Sequence, residues 1–321
     1  MAIKNQANLD TANTVAMEKF QEHFNGPAPG AWPIFTEEYS SSAQTDELVF
    51  VTWLNAITEL LGSRQYGNFE AYKQSISLRT YADTIALPRK MVDYDTSGSV
   101  GRAIRQKIEN ARADSVDKLI FDELTSASGD GPTAFDADPL FSTTHTLGGT
   151  DYSNKTTSAL GFDTYNTGVQ TMQEYKKANA DPMNVFPTHL IVGPKMRRMA
   201  LEITGAEVQP FTFNTSGAIE RQGTNMTSNI ATSGLTNVHR GEVTVVVWQR
   251  LTGTQDDYWY LVDASKTDKP FLLKMNRDFE LIDRTQMRDD ARWNLDMYEW
   301  SIEGDMTPAA GAWPLMYAGI L

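Results

Sequence analysis

The chain has 321 residues, a hydrophobic share of 40%, no cysteine and a formal net charge of −13. That length supports a sizeable core in one large domain or two medium ones, and the missing thiols exclude disulfides, thiolate nucleophiles and sulfur-ligated zinc. The acidic balance argues against a grip on nucleic acid, no apolar run reaches the roughly 18 residues of a membrane span, and MAIKNQANLD lacks the regions of a signal peptide, so cytoplasmic synthesis is the expectation.

From Asn8 to Phe24 the apolar residues Val15, Met17, Phe20 and Phe24 recur at helical spacing before the stop at Gly26 and Pro27, which predicts a short amphipathic arm. PAPGAWPIFTEEY then keeps Trp32, Phe35 and Tyr39 on a Pro-stiffened segment, a pattern that predicts contact with another surface, in the same subunit or a neighbouring one. Residues 46 to 61, DELVFVTWLNAITELL, predict a helix closing at Gly62. In YKQSISLRTYADTIALPRKMV the residues Tyr72, Ile76 and Leu78 alternate with polar neighbours, and Ile85, Leu87 and Arg89 alternate on the return. That pattern predicts a long hairpin turning near Thr80 to Asp83, with Arg79 and Tyr81 at its tip. A helical pattern then runs from about Val100 to Leu124 through Ile104, Ile108, Ala111, Ser115 and Leu119. At 1.5 Å per residue it is a rod of roughly 37 Å, the spine of the expected fold. SASGDGP ends it.

Further on, DTYNTGVQTMQEYKKANA predicts a helix, THLIVG a buried strand, and PKMRRMALEIT a helix with Pro194 in its first turn. Residues 205 to 241, rich in Gly, Ser, Thr and Asn, predict a long exposed loop. Strand patterns take over in EVTVVVWQRL, DYWYLVDAS, FLLKMNRDFELIDRT and WNLDMYEWSIEGD. Helices and strands are segregated, so the fold class is α+β. The basic clusters, Lys176 with Lys177 and Lys195 with Arg197 and Arg198, are short and read as solvated helix faces.

The densest set of potentially reactive side chains is AFDADPLFSTTHTLGG, residues 134 to 149. Hydrolysis through Ser142 and His145 lacks a nucleophile elbow, and hydroxyls in such a run serve turns. A calcium loop starting at Asp136 and Asp138 fails, because Phe141 falls where glycine is needed and Leu147 where the bidentate Glu belongs. His23, His189 and His239 are scattered, and the neighbours Glu37-Glu38 and Asp289-Asp290 point to opposite faces of an extended chain. Neither a Walker A loop nor G-x-G-x-x-G occurs. The sequence therefore assigns no catalytic residue, no cofactor site and no metal site.

Taken in order, WLNAITELLGSRQYGNF, LPRKMVDYDTSG, DKLIFDELTSA, FDADPLFSTTH, PTHLIVGPKMRRMA, WYLVDASKTDKPF and AAGAWPLMYAGI resemble the Mu-like major head subunit family of tailed bacteriophages. The likeness spans about Trp53 to Leu321; one departure is that LNAITELLGSR lacks the second tryptophan and arginine of W-L-G-x-x-P-x-x-R-x-W. The resemblance implies an HK97-like capsid fold with an N-terminal arm and helices (1–65), an extended hairpin loop (66–97), a spine helix and following turn of the peripheral domain (98–154), an axial domain (155–264, with the 205–241 loop), and C-terminal strands returning to both domains (265–321). It implies a structural protein, without enzymatic activity, that self-assembles as pentamers and hexamers into an icosahedral shell enclosing DNA without sequence-specific binding. Shell assembly would take place in the host cytoplasm, the mature location would be the virion, and scaffold, portal, protease or decoration proteins are the further partner classes. Its inter-subunit contact candidates are Phe20, Phe24, Trp32 and Phe35 in the arm, and Tyr72, Ile76, Leu78, Arg79, Tyr81, Ile85, Leu87 and Arg89 in the loop. FDADPLFSTTH is then a turn anchored by Leu140 and Phe141, with Asp136, Asp138 and the hydroxyls satisfying backbone donors. The alternatives are a cellular nanocompartment shell of the same fold, marked by copurifying cargo protein, and a soluble hydrolase, marked by activity lost on His145→Ala.

Overall fold

Strands dominate the computed structural model, which describes residues 30–53, 69–94, 114–206, 208–213, 219–221, 233–284 and 296–321. A short helix α1 (Trp32–Phe35), with Pro33 in its first turn, leads into β1 (Thr36–Ser40). β2 (Thr45–Trp53) and β3 (Phe69–Ser77) form a two-stranded ribbon, paired from Thr45 with Ser77 to Trp53 with Phe69. β4 (Thr80–Pro88) runs into α2 (Arg89–Asp93), and residues 114–124 form α3. β5 (His145–Leu147), β6 (Thr150–Tyr152), β7 (Lys155–Thr156), α4 (Phe162–Glu174), β8 (His189–Val192) and α5 (Arg197–Thr204) follow. Three strands, β9 (Val208–Phe213), β10 (Ile219–Arg221) and β11 (Ser233–Thr236), make a small sheet in the order β10-β9-β11. The chain closes with β12 (Thr244–Val247), β13 (Trp259–Val262), β14 (Phe271–Arg284), β15 (Met297–Ala310) and β16 (Met316–Gly319).

Two larger sheets carry the molecule. One has the order β1-β14-β15-β4, with β1 parallel to β14 and the other pairs antiparallel. The other has the order β12-β8-β13-β16-β7, and every residue of its central strands β13 and β16 is buried. Uninterrupted apolar strands such as WYLV need cover on both faces. α4 supplies part of that cover with Tyr165, Val169 and Met172, and Gly168 lets it settle closely, since a Cβ there would lie 3.0 Å from Leu261 and 3.1 Å from Tyr317. Trp248, Trp259, Trp313, Tyr260, Phe35 and Phe271 are fully buried in one continuous cluster. Each such side chain contributes about 1.5–3 kcal/mol relative to exposure. α3 packs Val116, Ile120 and Leu124 into that core, and its buried Asp117 accepts the Trp248 Nε1–H at 2.9 Å and a bond from Arg250 Nε. Burial raises the Asp117 carboxyl above its ordinary range, against the opposing pull of Arg250 and Trp248.

Four sequence expectations change. Residues 46 to 53 form a strand, not a helix, because LVFVTW combines β-branched and aromatic residues with an alternation that turns Asp46, Leu48 and Phe50 to the body; the remainder, 54 to 61, lies outside the described residues. The segments 72–78 and 85–89 do not pair with each other: β3 joins β2, and β4 joins β15 from Pro88 opposite Met297 to Thr80 opposite Asp305. The chain changes sheets at Leu78 and Arg79, where Leu78 N–H donates to Gln44 O (2.8 Å) and Met306 N–H donates to Arg79 O (3.0 Å). Alternation fixes which face a strand buries and leaves its partner open. The 205–241 segment is not a plain loop, since it carries β9, β10 and β11. In α3 the buried stripe is Val116, Ile120 and Leu124, with Ser115 and Leu119 half-buried at its flank; Val100 to Ala111 lie outside the described residues.

Candidate functional site

The AFDADPLFSTTH stretch folds as a self-bracing turn. Leu140 and Phe141 are buried, with Phe141 against Tyr260 at 5.5 Å. Ala137 takes the left-handed region at φ 72°, and Asp136 Oδ1 accepts the Asp138 N–H at 3.4 Å. The other Asp136 oxygen lies 2.7 Å from His145 Nδ1, while His145 Nε2 lies 3.2 Å from Leu140 O. The His145 ring is fully buried and stacks on Trp313, centroids 4.1 Å apart and planes within 3°. Asn154 completes the brace, donating from Nδ2 to Leu140 O (2.7 Å) and accepting the Ser142 N–H on Oδ1 (2.9 Å).

Both imidazole nitrogens of His145 are therefore engaged by the turn, and Ser142 Oγ accepts the Thr144 N–H at 3.2 Å. A general base needs a ring nitrogen facing its nucleophile, so this arrangement braces a loop and offers no acyl-transfer geometry. Asp136, Asp138 and His145 also have ligand-type atoms within 4.8 Å of one another. An ion there would have to displace the bonds that hold the turn.

The surface that stands out is the ribbon. Its inner face sets Phe50 on Phe135 in a stack (4.7 Å, 27°), tilts Tyr72 against the same ring (5.4 Å), and directs Gln74 Nε2 to Thr133 O (3.0 Å). Its outer face exposes Thr45, Glu47, Val49, Ala71, Lys73, Ser75 and Ser77, with Val49 53% accessible and Lys73 paired to Glu47 at 2.9 Å. A cleft of about 860 Å³ opens beside the ribbon, lined by Tyr39, Leu48, Phe50, Tyr72, Phe135 and Leu272 among others. Tyr39 is pushed up to about 12 by burial and by the nearby Asp46 carboxylate.

The sequence-derived contact candidates scatter over this architecture. Trp32 and Phe35 are buried in the chain's own core, Phe35 against Trp248 and Phe271. Ile76 is also buried, and Tyr72, Tyr81 and Leu87 pack inward. Leu78 and Ile85 are half-buried. Arg79 is exposed and pairs with Glu123 (3.2 Å), and Arg89 pairs with Asp93 (2.9 Å) and Asp296 (3.6 Å). Phe20 and Phe24 lie outside the described residues. Sequence reasoning passed over Lys274, which shares a strand face with buried Leu272; a lysine on an inward-facing position was the available signal.

Among the described residues no helix is long and apolar enough to cross a membrane. The family model described as "Phage capsid protein" matches residues 71–317. Among solved structures, the chain is similar to the bacteriophage JBD30 capsid (TM-score 0.51, 11% identity, covering 92% of this chain and 68% of that one). It is also similar to the JBD30 capsid decorated with minor capsid protein trimers (TM-score 0.55, 14% identity, 72% and 95%). The asymmetric unit of the bacteriophage PhiM1 mature capsid matches at TM-score 0.55 and 10% identity, covering 92% and 88%. No curated protein sequence matches. At these identities the likeness is one of fold, the HK97-like α+β capsid fold.

Proposed function

This chain belongs to the phage capsid protein family and is a structural shell protein, and from that premise we propose that its copies close into an icosahedral shell of pentamers and hexamers around phage DNA. The four-stranded sheet with α3 acts as the peripheral domain, and the five-stranded sheet with α4 and α5 as the axial domain around the symmetry axes. The extended loop reaching a neighbouring subunit is the β2–β3 ribbon, so its place in the chain moves from residues 66–97 to residues 45–77. The observation that carries this reading is the ribbon itself, nine paired residues per strand, which over residues 45–50 and 71–77 is seated by one face and presents the other to solvent. Many modest interfaces repeated over a closed surface make a stable container. The net charge of −13 supports enclosing DNA without gripping it.

Negative-stain electron microscopy with sedimentation tests the reading on the full chain made in a bacterial cytoplasm, alone and together with the other head proteins of its phage. The expected products are closed shells or five- and six-fold rings containing this chain. A chain that stays monomeric in both preparations overturns it.

A further inference from the structure

Lys274 is the fourth residue of β14, and its side chain is fully buried. Its strand neighbours in register are Tyr39 on β1 and Thr307 on β15, so these residues form a polar row across the sheet beneath the base of the ribbon. The ammonium is directed at ribbon atoms and at the connection leading into the ribbon. Nζ donates to Ala43 O at 2.8 Å and to Ile76 O at 3.4 Å, and faces Asp46 Oδ2 at 3.1 Å. Those acceptors come from the β1–β2 connection, β3 and β2 respectively. Thr307 adds a neutral contact, its hydroxyl donating to Ser77 O at 2.9 Å.

A buried ammonium is tolerated only where charge and hydrogen-bond partners surround it. Because the Lys274 partners sit on the ribbon side, any tilt of the ribbon away from the sheet strands a cation in an apolar setting. The apolar support at this junction is slight, since Ile76, Leu272 and Ala309 are its buried cluster, with Tyr39 and Leu48 packed against it. We propose that Lys274 is a positioning residue, a buried cationic pin that fixes the angle of the β2–β3 ribbon on the body. That this angle matters for shell closure rests on the function proposed above; the pin itself does not.

The charged and titratable groups around the pin are Asp46 on β2, Tyr39 on β1 and, beyond the sheet crossing, the Arg79–Glu123 pair. The Ser41 hydroxyl and then Lys274 hold the Asp46 carboxyl below its ordinary value, against the opposing pull of burial. A depressed carboxylate contributes stability that is present above its ordinary value and lost as pH falls through the folded one. The pin therefore loosens in acid.

Hydrogen–deuterium exchange on the full chain tests it, with Lys274→Met and Asp46→Asn as variants and exchange corrected for the intrinsic pH dependence. At neutral pH, β2 and β3 amides in either variant should exchange about ten-fold faster while β8, β13 and β16 keep their protection. In the parent chain, ribbon protection should fall below about pH 4, and in Asp46→Asn it should no longer follow this step. Ribbon exchange unchanged in both variants, or a loss spread equally over the five-stranded sheet, overturns the proposal. Should Lys274→Met fail to fold, Asp46→Asn and the pH profile decide alone. Normal shells from a variant with a demonstrably loosened ribbon would count against the assembly role of the ribbon and leave the pin standing.

Discussion

In the five-stranded sheet, β13 and β16 bury every residue and α4 closes over them, whereas the junction of the ribbon with the four-stranded sheet holds three buried apolar residues, one of them the ribbon's own Ile76, and one buried lysine. The first region draws its stability from apolar area removed from water, which is large and non-directional. The second has little such area and is held by contacts that specify direction: two rings on Phe135, an amide on Thr133 O, and an ammonium on two ribbon acceptors and one in the connection leading into the ribbon. One region keeps the subunit folded, and the other sets where an appendage points. On the function proposed above, that division sets the direction of an assembly element without drawing on the stability of the core.

Substitutions should separate the two regions. The largest effect is expected from Trp313→Ala, which empties a fully buried site and removes the surface under His145; chemical denaturation should show a loss of about 3–5 kcal/mol. Next, His145→Ala strips the buried Asp136 carboxylate of its partner and should cost about 1–3 kcal/mol in the same measurement. If that variant instead lost a hydrolytic activity at unchanged stability, the turn would have to be read as a site. Phe135→Ala removes two ring contacts, worth about 0.5–1.5 kcal/mol each, and should speed proteolysis between β2 and β3 more than it lowers the melting temperature. Smallest of all, Glu47→Ala breaks an exposed pair with Lys73 and should move stability by less than about 1 kcal/mol.

The same contrast explains what the residues disclosed in advance. HLIV read as a buried strand and WYLV as a strand because apolar runs of that length have few other places to go, and the two lie beside each other in the core. FDADPLFSTTH read as a turn through the resemblance, with its hydroxyls suited to turn bonding, and Leu140 and Phe141 are buried beneath it. The ribbon was harder. LVFVTW suits a helix stripe and a strand face alike, and the partners of Tyr72 and Ile85 lie on β2 and β15, far from the local sequence signals. Segregated helices and strands supplied the α+β class and the order of segments the capsid fold through resemblance, while strand partnership needed three dimensions. The role of Lys274 was hidden for the same reason, since its acceptors come from segments about 200 residues away.

The most direct test of the central claim is negative-stain electron microscopy of the full chain beside a chain whose residues 49–73 are replaced by a short Asn-Gly turn, both produced under conditions in which the full chain assembles. The account predicts closed shells from the first, and from the second a folded subunit with its five-stranded sheet intact that forms none. Shells of normal size from the shortened chain would contradict it.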